Sequence, residues 1–305
     1  MTLTSENAGA GLDGRCPDVL AWGVLVPHEL RDRASRFGGR DALVVVGGPS
    51  LTYDEWDRRA SALARGLAAA GVERGDRVAL LFANADAVDF WVGYVAAHRA
   101  GAAAVPVNAR YAAREIAHVL RDSGATVVLS AGEHLERARQ LHGLPPTRVV
   151  ALTELIDEDD SPFEVTVGDD DLADLFYTSG TTGLPKGVAS THGSSSTHAM
   201  TAVEAGGVLL SAIPLATFTG VQGALLTPLR LGTTSVTFPR FDAHDFAREA
   251  VVRRASWLLL VPAQILLLLE SGALEGADLS GVGAVMFGGS PTPPAAVARL
   301  AELFP

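Results

Sequence analysis

Val78-Ala-Leu-Leu-Phe82, then Ala85 to Arg99, then Ala103-Ala-Ala-Val-Pro-Val107 follow one another with only a few residues between them. The outer two segments are short apolar runs that read as strands, and the middle one has the length of a helix. Strand, helix and strand in this order make a βαβ unit, which demands a parallel sheet with covering helices. The alternation continues with a helix over Ala112–Asp122, a strand over Thr126–Leu129, a short helix and a strand over Val149–Leu152. Upstream, Thr52 and Glu55 have the spacing of a capping box. Behind it Trp56, Ala60, Leu63, Ala64 and Leu67 hold one apolar helix face.

A second alternating series follows. Its strands are expected at Val208–Ile213, Ser235–Phe238, Trp257–Val261 and Val282–Phe287, with helices near 192–204, 219–230, 242–255, 263–271 and 293–303. This divides the chain into a loose N-terminus (1–20), a first α/β unit (21–172) and a second unit (173–305). The acidic stretch around Ser161-Pro162, with Asp157 to Asp160 before it and Asp169 to Asp171 after it, reads as an exposed connector. It lacks the spacing of a calcium loop.

Between the two series lies Tyr177-Thr-Ser-Gly-Thr-Thr-Gly-Leu-Pro-Lys-Gly-Val188. Lys186 is the only lysine; all other basic residues, of 24 in the chain, are arginine. A compact ammonium among glycines and hydroxyls suits a loop that wraps phosphate. A surface turn with a chance lysine is the bland alternative, and the density of donors argues against it. The loop is not of the Walker type: aligned on Lys186, the second glycine is replaced by Pro185 and the hydroxyl by Gly187. Nor do the Gly-Gly pairs at 47–48 and 288–289 have dinucleotide-fold spacing. The apolar run ending at Thr178 and the segment leaving at Gly187 predict a strand–loop–strand hairpin.

This string, followed by Thr191-His192, resembles the phosphate loop of the adenylate-forming (ANL) superfamily, which comprises acyl-CoA synthetases, peptide-synthetase adenylation domains and luciferases. Other stretches agree with it: Leu51-Thr-Tyr-Asp-Glu55; Gly75-Asp-Arg-Val78 with Asn84; Ala100 to Asn108 with Arg110-Tyr111 and Glu115-Ile116; and Phe287-Gly-Gly-Ser-Pro291. The resemblance implies an α/β fold of two stacked, mostly parallel sheets with covering helices, the early segment joining the second sheet. It also implies a reaction: a carboxylate attacks the α-phosphorus of ATP, and a thiol such as CoA or a carrier thiol takes the acyl group. Lys186 would then be catalytic. Thr178, Ser179, Gly180, Thr181, Thr182 and Gly183 would hold the ATP phosphates with it.

Gly288, Gly289, Ser290 and Pro291 would meet adenine, and Thr217, Phe218, Val261 and Pro262 would line the acyl pocket. Pro214 to Gly220 resembles a family string, but Thr217 stands where histidine is usual and Ala216 where an aromatic is usual. Arg230 would contact CoA. His192 would support the loop strand, and the other histidines show no metal spacing. Between Thr191 and Arg240 the only acidic residue is Glu204. A buried substrate ammonium would lack a counter-charge, so a simple carboxylic acid is favoured over an amino acid.

Composition sets outer limits. Hydrophobic residues make up 48%, ample for a large core, and the net charge of −11 argues against general nucleic-acid binding. One cysteine, Cys16, excludes an internal disulfide and, with a polar start unlike a signal peptide, leads to an expected cytoplasmic setting. The longest apolar stretch, Trp257 to Leu269, is interrupted by Pro262 and Gln264 and too short to span a bilayer.

Family members continue beyond Pro305 with an acidic Mg²⁺-binding motif and a domain bearing a second lysine. No metal ligand is therefore assigned here, and the chain is expected to be the N-terminal portion of such a ligase. Alone, it is expected to bind nucleotide weakly and not to turn over. A non-catalytic nucleotide-binding module or complementing subunit is the alternative, and a P-loop phosphotransferase is the weakest reading.

Overall fold

The computed structural model describes residues 25–178, 183–196 and 206–304. Helix α1 (Val26–Phe37) leads into the hairpin β1 (Asp41–Val45)–β2 (Ser50–Thr52), and α2 (Tyr53–Ala69) follows. The capping box is formed: the Glu55 amide donates to Thr52 Oγ1, and the Thr52 amide donates to the Glu55 carboxylate. Next come β3 (Arg77–Leu81), α3 (Ala87–Arg99), β4 (Ala103–Pro106), α4 (Ala113–Ser123), β5 (Val127–Ser130), α5 (Gly132–Arg139) and β6 (Arg148–Ala151). Strands β7 (Leu172–Thr178) and β8 (Lys186–Thr191) form the expected hairpin, followed by α6 (His192–Ser196). The rest of the helix expected to 204 lies outside the described residues.

The second series runs from β9 (Val208–Ser211) through a π-helical stretch, Gly220–Leu226, that continues as α7 (Thr227–Leu231). It proceeds through β10 (Thr234–Thr237), α8 (Ala243–Val252), β11 (Trp257–Leu260), α9 (Pro262–Glu270), β12 (Ala284–Phe287) and α10 (Pro294–Leu303).

Two six-stranded sheets result, ordered β6-β5-β3-β4-β7-β8 and β12-β11-β9-β10-β1-β2. Every ladder is parallel except β1–β2 and β7–β8. β1 pairs with β10, so the early segment does belong to the second sheet. The sheets do not part at residue 172, however. Asp174 pairs with Ala104, which makes the hairpin the last two strands of the first sheet. Hydrogen bonding to β4 outweighs sequence proximity to β9.

The main core lies between the sheets and is filled by α1, α2, α3, the π-helical stretch and α7. α3 is buried at every position except Asp89. Trp56 and Trp91 meet there with ring centroids 4.7 Å apart, and the Trp56 indole donates to the Trp91 carbonyl. Arg99 is fully buried. Its guanidinium is neutralised by Asp57 and donates to Ser61 Oγ at 2.8 Å, so the charge is enclosed but paired. The acidic connector is strapped down at its surface by Arg58–Asp160, Arg65–Asp159 and Arg74–Asp171. Among the described residues no helix is long and apolar enough to cross a membrane.

Candidate active site

Strand β9 is the switch point of the second sheet. The chain leaves it for β10 on one side and later returns to β11 on the other. The first connection packs in the core between the sheets, whereas α8, α9 and α10 cover the opposite face. Connections departing on opposite faces leave a crevice at the carboxyl ends of the strands, where open α/β sheets bind ligands. Pro214–Gly220 follows β9 there, and Val261-Pro262 follows β11. Leu260 pairs with Phe287, so Gly288–Pro291 emerges beside Val261. The residues assigned to adenine and to the acyl group are thus neighbours on one edge.

Asn84, just past β3, ties the first sheet to this edge. Its amide nitrogen donates to the carbonyls of Ile213 (3.0 Å) and Phe238 (3.2 Å), and its oxygen accepts from the Leu215 amide (3.2 Å). Thr217 Oγ1 donates to the Pro214 carbonyl and accepts from the Gly220 amide, so its hydroxyl closes its own turn. Gly220 is required there, because a Cβ would stand 2.3 Å from the Pro214 oxygen. Phe218 is exposed and meets Phe176 of β7 edge-on at 5.4 Å, which joins the hairpin to the pocket loop. Val261 is partly buried against the cluster of Leu209, Ile213 and Trp257. Pro262 is buried as the first residue of α9 and offers no open surface. Beside it Gly288 and Gly289 face open space, and Gly289 has φ +90°, a conformation that favours glycine.

Lys186 opens β8 as an exposed side chain opposite Thr178. It lines a groove of about 550 Å³ between the hairpin and α4, together with Arg114, His118, Asp122 and Gly183. The Tyr177 hydroxyl donates to Asp122 at 2.7 Å. Burial, and then this bond to a carboxylate, push the Tyr177 phenol well above its ordinary range. Ser179, Gly180, Thr181 and Thr182 lie outside the described residues.

A buried polar cluster fixes the base of the hairpin. Ser195 Oγ donates to Asp174 at 2.9 Å, and the His98 ring bonds the Ala173 carbonyl at 3.0 Å. His98 stands edge-on to His192 at 4.9 Å. Sequence reading places Arg230 against CoA; in the structure it lies between α1 and α6. Arg230 is 6% exposed, its guanidinium is paired with Glu29 at 3.3 Å, and it donates to the Ser195 carbonyl at 2.8 Å. This enclosed cation holds α6 against α1.

Burial, and then the neighbouring His98, push the His192 pKa down to about 4, against the pull of Asp174 and Asp171. Between the ordinary value of 6.5 and about 4, the unfolded chain takes up a proton that folded His192 refuses. Stability contributed by this group is present above that window and is lost as pH falls through it. The loss is on the order of 2–3 kcal/mol. Urea midpoints measured across the window should therefore fall less steeply in His192→Gln than in the wild type; equal slopes would contradict the assignment.

The sequence missed the tie made by Asn84 and the facing role of α4. The second had a signal: Arg114, His118 and Asp122 recur at four-residue spacing, one stripe of a helix. Among the described residues no group of three or more His, Cys, Asp or Glu is placed to hold a metal.

The family model described as AMP-binding enzyme matches residues 30–305. The chain is 35% identical over 266 residues to a feruloyl-CoA synthase of Amycolatopsis sp., covering 86% of this chain and 54% of that protein. It is 32% identical to the long-chain-fatty-acid–CoA ligase FadD13 of Mycobacterium tuberculosis, covering 81% and 51%. The chain therefore spans about half the length of these curated relatives. Among solved structures, the inhibitor-bound N-terminal domain of FACL13 from M. tuberculosis superposes with a TM-score of 0.81 at 29% identity, covering 91% of this chain and 73% of that one. The two-sheet fold is that of the N-terminal domain of adenylate-forming ligases, and the chain belongs to the AMP-binding enzyme family.

Proposed function

We propose that this chain is the nucleotide- and acyl-binding part of an ATP-dependent carboxylic acid:CoA ligase. A carboxylate oxygen attacks the α-phosphorus of ATP, the bond to the bridging oxygen breaks, and pyrophosphate leaves. A thiolate sulfur then attacks the acyl carbon and AMP departs. The observation that carries this reading is the Phe176–Phe218 contact, which sets the Lys186 hairpin against the carboxyl edge of the second sheet. Lys186 would neutralise the departing pyrophosphate, with Thr178, Gly183 and the loop residues 179–182 as further donors. Gly288–Pro291 would present bare backbone to adenine. Phe218 and Val261 would meet the acyl group, with Thr217 shaping the turn that carries Phe218. Mg²⁺ would arrive with the triphosphate.

The acid is a simple one, aromatic or aliphatic, in keeping with relatives named for ferulate, 4-coumarate and long-chain fatty acids. The test reconstitutes the chain with the second half of the Amycolatopsis relative and supplies ATP, Mg²⁺, CoA and a panel of acids. AMP and pyrophosphate should form only when an acid is present. Nucleotide binding without either product would favour a non-catalytic module, and γ-phosphate transfer would favour a phosphotransferase.

A further inference from the structure

Helix α4 meets the hairpin through a ladder of side chains four residues apart. Asp122 accepts from the Tyr177 hydroxyl at 2.7 Å, and Tyr177 is paired in register with Gly187. One helical turn earlier, the His118 ring bonds the Pro185 carbonyl at 2.9 Å. Four helical residues advance about 6 Å and two extended residues about 6.6 Å, so helix and hairpin keep step. One turn before His118, Arg114 borders the groove that Gly183 also lines. There the partner fails: Arg114 is exposed and forms no hydrogen bond or ion pair among the described residues, and no side chain projects from Gly183, which faces open space with φ +127°. Lys186 lines the same groove of about 550 Å³ and is likewise without a partner among the described residues.

Two cations on separate elements thus border one cleft beside the hairpin tip, in a chain whose net charge is −11. The carboxylate at the far rung, Asp122, is engaged by Tyr177 and would repel an anion approaching that end. At about 550 Å³ the cleft has room for a chain of phosphates. We infer that Arg114 is a second cationic contact for the polyphosphate portion of the nucleotide, working with Lys186 across this groove. The planar fork of arginine suits bidentate contact with phosphate oxygens. This assignment rests on the nucleotide reading above.

Inorganic tripolyphosphate and ATP are titrated separately into the 305-residue chain by calorimetry, with Arg114→Ala, Arg114→Lys, Lys186→Ala and Arg148→Ala. Arg148, on the outer strand β6, controls for loss of one charge. Tripolyphosphate affinity should fall about ten-fold in Arg114→Ala and in Lys186→Ala, recover in part in Arg114→Lys, and hold in Arg148→Ala. Equal affinity of Arg114→Ala and Arg148→Ala for tripolyphosphate would overturn the inference. If ATP binding also depends on Lys186 in that case, the nucleotide reading stands without Arg114. A wild-type chain that binds neither probe would overturn the inference, and acid-dependent pyrophosphate formation by the reconstituted enzyme would still decide the ligase reading.

Discussion

Lys186→Ala should lower acid-dependent pyrophosphate formation by about 10²–10³-fold in the reconstituted enzyme. The ammonium is the only one in the chain outside the N-terminus, and it stands exposed at the start of β8 with no protein partner among the described residues. Nothing in the fold leans on it, so the midpoint of denaturation should move by no more than about 0.5 kcal/mol. A large rate loss with unchanged stability separates a chemical role from a structural one. Lys186→Arg retains charge but brings a flat, weakly hydrated fork, and most of the loss should remain. Wild-type rates in both variants would remove the hairpin from the mechanism.

Gly66→Ala should destabilise the chain by about 3 kcal/mol or more. Gly66 lies within α2, where helix propensity alone favours alanine by about 0.5–1 kcal/mol. Packing reverses the sign. A Cβ at this position would stand 1.6 Å from the backbone oxygen of Leu155. That atom cannot rotate away, so α2 and the 152–155 turn must separate and open the core around Trp56. Gly39→Ala, where nothing lies within 4 Å of the new methyl, is the matched control and should shift stability by at most about 0.5 kcal/mol. Chemical denaturation of both variants decides; a stabilised Gly66→Ala would show that the close approach of α2 is wrong.

The parallel sheets were legible because their signal is local: apolar runs separated by helix-length segments appear in consecutive residues. The hairpin around Lys186 was legible for the same reason, and β7 and β8 lie where the apolar run and the exit from the loop placed them. Partnerships over long separations were not legible. The buried pairing of Arg230 could not be read, since its counter-ion, Glu29, lies 201 residues earlier. Nothing near either residue announces the pair. The membership of the hairpin in the first sheet depends on Asp174 meeting Ala104, again a tertiary contact. Asn84 stood within a recognised string, but its hydrogen bonds to Ile213, Leu215 and Phe238 exist only once both sheets are assembled.

The most direct test is amide hydrogen exchange of the 305-residue chain with and without saturating ATP. Protection concentrated between Thr178 and Gly187, with a second patch at Gly288–Ser290, is the predicted footprint. Nucleotide that docks while the hairpin amides exchange as freely as before would contradict it.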